Sequence, residues 1–177
     1  DMARNMGITS KLSTGPSICL GPDDLSVFEM VGAYSTFVNE GVWIEPVFLT
    51  KIVDKNGVVV ENFVPKRKQA MSKETANTML RLLQGVVDGG TGSRIKSKSY
   101  PWQLTKDIGG KTGTTQNHSD GWFMGVTPNL VTGVWTGCED RAAHFRNLQH
   151  GQAASTALPI FAGYMKRLYN DSVNTKI

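Results

Sequence analysis

The sequence is poor in cysteine, aromatic residues and charge, and it has no long apolar run. Its 2 cysteines, Cys19 and Cys138, lie far apart and fit no Cys-x-x-Cys or Cys/His spacing, which excludes a disulfide framework and a cysteine metal site. Each is expected to be a small buried hydrophobe rather than half of a bridge. No stretch approaches the roughly 20 apolar residues that a bilayer-spanning helix needs. Charged residues make up 19% of the chain, below the proportion usual in soluble domains. The net charge of +4 comes from scattered positions. The one tight basic run, Lys66-Arg67-Lys68 after Pro65, has no aromatic interleaving and reads as a solvated loop, so no nucleic-acid partner is expected. His118, His144 and His150 lack metal-ligand spacing, and neither metal nor cofactor is expected.

What remains is 177 residues, 40% of them hydrophobic, punctuated by 19 glycines. That is enough for one domain with a real core and too little for two. Asp1 to Ile8 reads as a helix end. The opening Asp1-Met2-Ala3-Arg4 looks like the tail of a helix already under way, so the expectation is an excised piece. Asp24 to Glu40 carries Val27, Met30, Val31, Tyr34 and Val38 at helical spacing, with Gly41 as its stop. Trp43 to Asn62 turns to β chemistry, with a hairpin at Asp54-Lys55-Asn56-Gly57. Ser72 to Asp88 predicts a second amphipathic helix, N-capped by Ser72, with Met79, Leu80, Leu83 and Val87 on its apolar stripe.

After Gly89-Gly90-Thr91-Gly92 and a polar link to Pro101, the pattern predicts a three-stranded meander. Its strands run from Ile108 to Thr115, Gly121 to Val126 and Leu130 to Gly137, and Thr127-Pro128-Asn129 forms a turn. A last helix is predicted over Gln152 to Tyr169, burying Ile160, Phe161, Tyr164, Met165 and Leu168; Pro159 implies a kink or a late start. Helices before and after an antiparallel meander give an α+β class.

Gly109-Gly110-Lys111-Thr112-Gly113-Thr114-Thr115 is the densest feature. It is not a phosphate loop, because Thr105 stands where the first glycine belongs and a β pattern follows. A dinucleotide fingerprint fails as well, since Ile95 replaces the third glycine after Gly90 and Gly92. On a strand, Lys111 and Gly113 alternate with Thr112 and Thr114. A cation and two hydroxyls beside a cleft suit a peptide carboxylate. Gly113 admits a close extended backbone, and a free Thr114 amide would face a developing oxyanion. A Gly-rich edge strand with no role is the plain alternative.

The run from Gly110 through Lys111-Thr112-Gly113, Asp120-Gly121-Trp122-Phe123 and Gly125 to Pro128, continuing into Val134-Trp135, resembles the bifunctional (class A) penicillin-binding proteins. Leu20-Gly21, Glu29 to Phe37, Asn39-Glu40-Gly41 and Val86-Val87 with Gly90-Thr91-Gly92 resemble that family in the same order. The resemblance implies a partial penicillin-binding-protein (serine β-lactamase-like) transpeptidase fold. Residues 1–177 would be the C-terminal portion of one such domain, lacking its nucleophile-bearing part. The implied activity is cross-linking of D-Ala-D-Ala stem peptides of peptidoglycan through a serine acyl-enzyme, with β-lactams as trapping mimics.

Of the three boxes that this chemistry needs, only Lys-Thr-Gly stands in a fitting context. Carried over residue by residue, Lys111, Thr112, Gly113 and Thr114 bind substrate, the Thr114 amide serves the oxyanion, and Thr91 lines the rim. No catalytic nucleophile is expected here, and the chain alone is expected to be inactive. Asp120 and Trp122 are expected to fix the hairpin beneath the cleft.

Three strings imitate catalytic motifs. Ser93-Arg94-Ile95-Lys96 lies in a turn and polar link, Ser172-Val173-Asn174 in a polar tail, and His118-Ser119-Asp120 are neighbours that cannot face one another in a relay. Two alternatives stay open. One is a non-catalytic scaffold or partner-binding module. The other is a serine β-lactamase fragment, against which the Gly-Thr-Gly and Asp-Gly-Trp-Phe segments weigh. The resemblance places the parent outside the cytoplasmic membrane, contacting it only through an N-terminal anchor that this chain lacks. Exposed apolar surface on a severed meander implies self-association or marginal stability.

Overall fold

The computed structural model describes residues 2–171. A short helix α1 (Met2–Asn5) leads through an extended Ser/Thr/Gly/Pro segment to α2 (Val27–Val38). The start of α2 is a capping box: Ser26 accepts the Glu29 amide while the Glu29 carboxylate reaches back to the Ser26 amide. The same carboxylate accepts the amides and hydroxyls of Thr9 and Ser10 at 2.7–2.9 Å, which pins the extended segment to the helix. These donors, the Ser10 hydroxyl foremost, hold the Glu29 carboxyl well below the usual carboxylate range.

Strands β1 (Val42–Ile44), β2 (Lys51–Val53), β3 (Val59–Asn62) and β4 (Arg67–Gln69) follow. They form two separate antiparallel pairs, β1 with β4 and β2 with β3. The predicted turn closes β2–β3: Asp54 bonds Val58 through its amide, and its side chain accepts the amides of Asn56 and Val58. The basic run is not a solvated loop. Arg67 and Lys68 belong to β4, opposite Ile44 and Trp43. Their side chains stay exposed, so no apolar alternation marks the strand in the sequence.

Next come α3 (Lys73–Asp88), capped by Ser72 as predicted, and the meander β5 (Gly109–Thr114), β6 (Asp120–Val126) and β7 (Val131–Gly137). The turn between β6 and β7 is held by Thr127, whose amide bonds the Leu130 carbonyl at 2.8 Å. A single turn α4 (Leu148–Gly151) precedes α5 (Ala157–Asn170). The late start of α5 puts Pro159 in its first turn, where a missing amide costs no intrahelical bond. The expected burial on α5 is corrected at two places: Ile160 and Tyr164 are exposed, while Ala157, Leu158 and Ala162 are buried beside Phe161 and Met165.

The β5–β6–β7 sheet is the middle of three layers. On one face, α5 packs Leu158, Phe161 and Met165 against Phe123, Ile108, Val87 and Ile95, all under 2% exposed. On the other, Ala33 and Phe37 of α2 and Ala76 and Leu83 of α3 meet Val126 together with Met6 and Ile8. Each such large apolar side chain contributes roughly 1.5–3 kcal/mol. On α2, the predicted Met30, Tyr34 and Val38 are half-buried around this second cluster, while Gly32, Ala33, Thr36 and Phe37 carry the burial. Both cysteines are exposed free thiols, not the buried hydrophobes expected. Cys19 lies in a short 3-10 turn and Cys138 just past the end of β7, where neither core cluster reaches them.

Candidate functional site: the Lys-Thr-Gly edge strand

β5 pairs with β6 alone, so among the described residues its other edge is unpaired. Two glycines allow this strand to lie where it does. A Cβ on Gly109 would come within 2.9 Å of Val126 and 3.0 Å of Leu83, and one on Gly110 within 2.5 Å of the Phe123 ring. The pair therefore lets α3 press on one face of the strand and Phe123 on the other, leaving the next four residues at the rim.

The register sets the faces. Thr112 stands opposite Phe123 and Thr114 opposite Gly121, on the α5 side; Lys111 stands opposite Met124 and Gly113 opposite Trp122, on the α2/α3 side. The alternation expected from the sequence is present. The Thr115 amide bonds the Asp120 carbonyl at 3.2 Å. In an antiparallel ladder the neighbouring pair is then of the non-hydrogen-bonded kind, which turns the Thr114 amide away from β6 toward the open edge. The Thr112 carbonyl faces the same way, and the Lys111 ammonium donates to it.

Both threonine hydroxyls are held by partners. Thr112 Oγ1 shares a 2.7 Å hydrogen bond with Thr91 Oγ1. Thr114 Oγ1 accepts the Ala153 amide at 3.0 Å. The edge thus collects a cation, two oriented hydroxyls and an outward backbone amide, a set suited to an extended peptide ending in a carboxylate. The sequence did not reveal Ala153, which it placed inside a helix. Nor did it single out Arg94, whose guanidinium bonds the Ala154 carbonyl and Ser155 hydroxyl, each at 3.1 Å, clamping the Gly90–Ile95 turn to the segment before α5. Pro159, which implied a late start for the last helix, was the local signal that this segment lies outside it.

The imitations come apart in space. Ser93 is exposed, and Lys96 pairs with Asp88 at 2.6 Å rather than activating it. Ser172-Val173-Asn174 lies outside the described residues. Ser119 bonds the Thr115 hydroxyl at 2.9 Å, while His118 Nδ1 and Asp120 Oδ1 are each buried without a hydrogen-bond partner among the described residues, so no relay joins the three. The backbone of Asp120 closes the hairpin on Thr115, and Trp122 lies across from Trp135. Among the described residues no cluster of His, Cys, Asp and Glu is gathered to hold a metal ion, and no helix is long and apolar enough to cross a membrane. An apolar hollow lined by Met6, Ile8, Leu12, Leu25, Met30 and Tyr34 takes no residue from β5.

The family model of the penicillin-binding protein transpeptidase domain matches residues 4–157. Penicillin-binding protein 1A of Aquifex aeolicus is 35% identical over 150 residues, covering 85% of this chain and 19% of that protein. Penicillin-binding protein 2D of Bacillus subtilis is 30% identical over 166 residues, covering 93% of this chain and 23% of that protein. The chain therefore spans about a fifth of the length of these relatives. Among solved structures, penicillin-binding protein 1A from Haemophilus influenzae superposes with a TM-score of 0.82 at 26% identity, covering 96% of this chain and 30% of that one. A penicillin G acyl-enzyme complex of penicillin-binding protein A from M. tuberculosis shares the fold, with a TM-score of 0.66 at 18% identity over 94% of this chain and 42% of that one. With its meander, flanking helices and Lys-Thr-Gly edge in this arrangement, the chain belongs to the transpeptidase-domain family of the penicillin-binding proteins.

Proposed function

We propose that this chain is the substrate-binding part of a peptidoglycan D,D-transpeptidase whose serine nucleophile lies in another part of a longer polypeptide. The observation that carries the reading is the open edge of β5, where Lys111, Thr112 and Thr114 and the outward Thr114 amide stand together. A stem peptide ending in D-Ala-D-Ala would lie along this edge as an added strand, close against Gly113. Its carboxylate would take the hydroxyl protons of Thr112 and Thr114, with Lys111 supplying positive charge. The Thr114 amide would stabilise the oxyanion formed when the serine attacks, a contribution of about 3–4 kcal/mol for one such donor elsewhere. β-Lactams would occupy the same edge.

The substrate places the parent protein on the outer side of the cytoplasmic membrane, with any anchor or glycosyltransferase unit elsewhere in the polypeptide. A second reading, a surface for protein association, draws on a different feature: the apolar β2–β3 hairpin is exposed throughout. Intact mass after incubation with excess benzylpenicillin tests the first reading. The full-length protein should gain one acyl adduct and this chain alone none. An adduct on the chain alone would overturn the divided-site reading, and peptide mapping would then begin at Ser93.

A further inference from the structure

The Thr112 hydroxyl is not presented to the open edge unaided. Thr91 lies between Gly90 and Gly92 where the chain leaves α3. The amides of both glycines bond the Val86 carbonyl, at 3.1 and 3.0 Å, and Ser93 closes back on the Gly90 carbonyl at 3.1 Å. A Cβ on Gly90 would sit 3.0 Å from the Val86 backbone, and one on Gly92 3.2 Å from it, so the turn is folded tightly onto the helix end. Val87 and Ile95, both at 0% exposure, anchor it on either side. The residue between the glycines is turned outward, and its hydroxyl meets Thr112 Oγ1 at 2.7 Å.

We infer that Thr91 is a positioning residue for carboxylate recognition: it donates its proton to Thr112 Oγ1 and so leaves the Thr112 proton for the bound ligand. This rests on the transpeptidase reading of β5. A hydroxyl carries one proton, and the Oγ1–Oγ1 contact between Thr91 and Thr112 holds one proton between the two oxygens. If Thr112 supplies it, Thr112 has no proton left to donate to an anion on the strand. A carboxylate only accepts, so its arrival selects the opposite order: Thr91 to Thr112 to carboxylate. A chain of donors pointing one way strengthens each bond in it. Thr91 thus acts through Thr112 and need not touch the substrate, which refines the expectation that it lines the rim.

The test uses the full-length protein with Thr91→Val and Thr91→Ser, and benzylpenicillin alongside its methyl ester, which lacks the carboxylate. Valine keeps the shape and removes the donor. The valine variant should raise the pre-acylation dissociation constant for benzylpenicillin about two- to fourfold, the size of the strengthening that an aligned donor lends to one charge-assisted hydrogen bond. The limiting acylation rate should stay within about twofold, and the serine variant should restore binding. The methyl ester should react alike with all three proteins. Equal losses for penicillin and its ester, or a serine variant as weak as valine, would show a packing role and sink the inference. Should the valine variant fold poorly by its thermal midpoint, Thr91→Ala against Thr91→Ser makes the same comparison. A wild-type protein that penicillin never acylates would instead overturn the transpeptidase reading itself.

Discussion

The hydroxyl of Thr114 accepts the backbone amide of Ala153 at 3.0 Å, joining the rim of β5 to the segment before α5. Ala153 is 1% exposed, so its amide has no water to fall back on. Thr114→Val leaves that donor unpaired and should lower unfolding free energy by about 1–3 kcal/mol, whereas Thr114→Ser should keep most of it. Urea denaturation of the two variants checks this; equal midpoints for Val and wild type would dismiss the tie.

Gly110 faces Phe123 so closely that a methyl group has nowhere to go, with Cζ at 2.5 Å and the Met124 carbonyl at 2.9 Å from its Cβ position. Phe123 is itself fully buried and packed against Phe161, with ring centroids 4.8 Å apart. Gly110→Ala should destabilise by about 1–3 kcal/mol, the usual cost of overpacking. Gly163→Ala, at a helical position with open space, serves as the control and should be neutral or slightly stabilising. A Gly110 variant as stable as wild type would mean the strand yields freely.

Glu29 ties the extended segment to the start of α2, and its donors depress its carboxyl. A folded-state value below the unfolded one stabilises the protein at neutral pH and is lost as pH falls through the folded value. Glu29→Gln should cost about 1–2 kcal/mol at neutral pH. The difference from wild type should narrow as pH drops below the ordinary carboxyl value of 4.5. Chemical denaturation at neutral and acidic pH measures the gap, and a gap independent of pH would contradict the assignment.

The β2–β3 hairpin carries Val60 at 65% exposure, with Phe48 at 91% just before it and Val64 at 84% just after it, and among the described residues both edges of its two-stranded sheet are open. Isolated hairpins are marginal, and bare apolar edges seek partners. The chain should self-associate at micromolar concentration. The combined change Phe48→Ser, Val60→Thr and Val64→Ser should shift it toward monomer in sedimentation velocity. Unchanged association would place the sticky surface elsewhere, the apolar hollow beside α2 being next.

Most of the framework was legible because its signals are local. Ser72 caps α3 by a direct side-chain bond, and Asn56-Gly57 closes its hairpin within a few residues. The alternation along β5 follows from the strand period alone. β4 was hidden, since its side chains are exposed on both faces and no apolar alternation marks the strand. The exposure of Ile160 and Tyr164 was hidden too, because which arc of α5 meets the sheet depends on where Gly121 and Gly125 let it approach. The site divides in the same way. Lys111 to Thr114 were readable in order, but the partners of the two hydroxyls, Thr91 and Ala153, are brought to them by folding over 21 and 39 residues.

The tight turn from Asp54 to Gly57 has one more consequence. It is closed by bonds within itself, lies at the tip of the exposed hairpin, and none of its residues belongs to either core cluster. Lengthening such a loop raises its closure entropy only slowly. The tip is therefore a natural graft point, where an epitope or a fluorescent reporter can be spliced into the chain while the Lys-Thr-Gly edge keeps its shape.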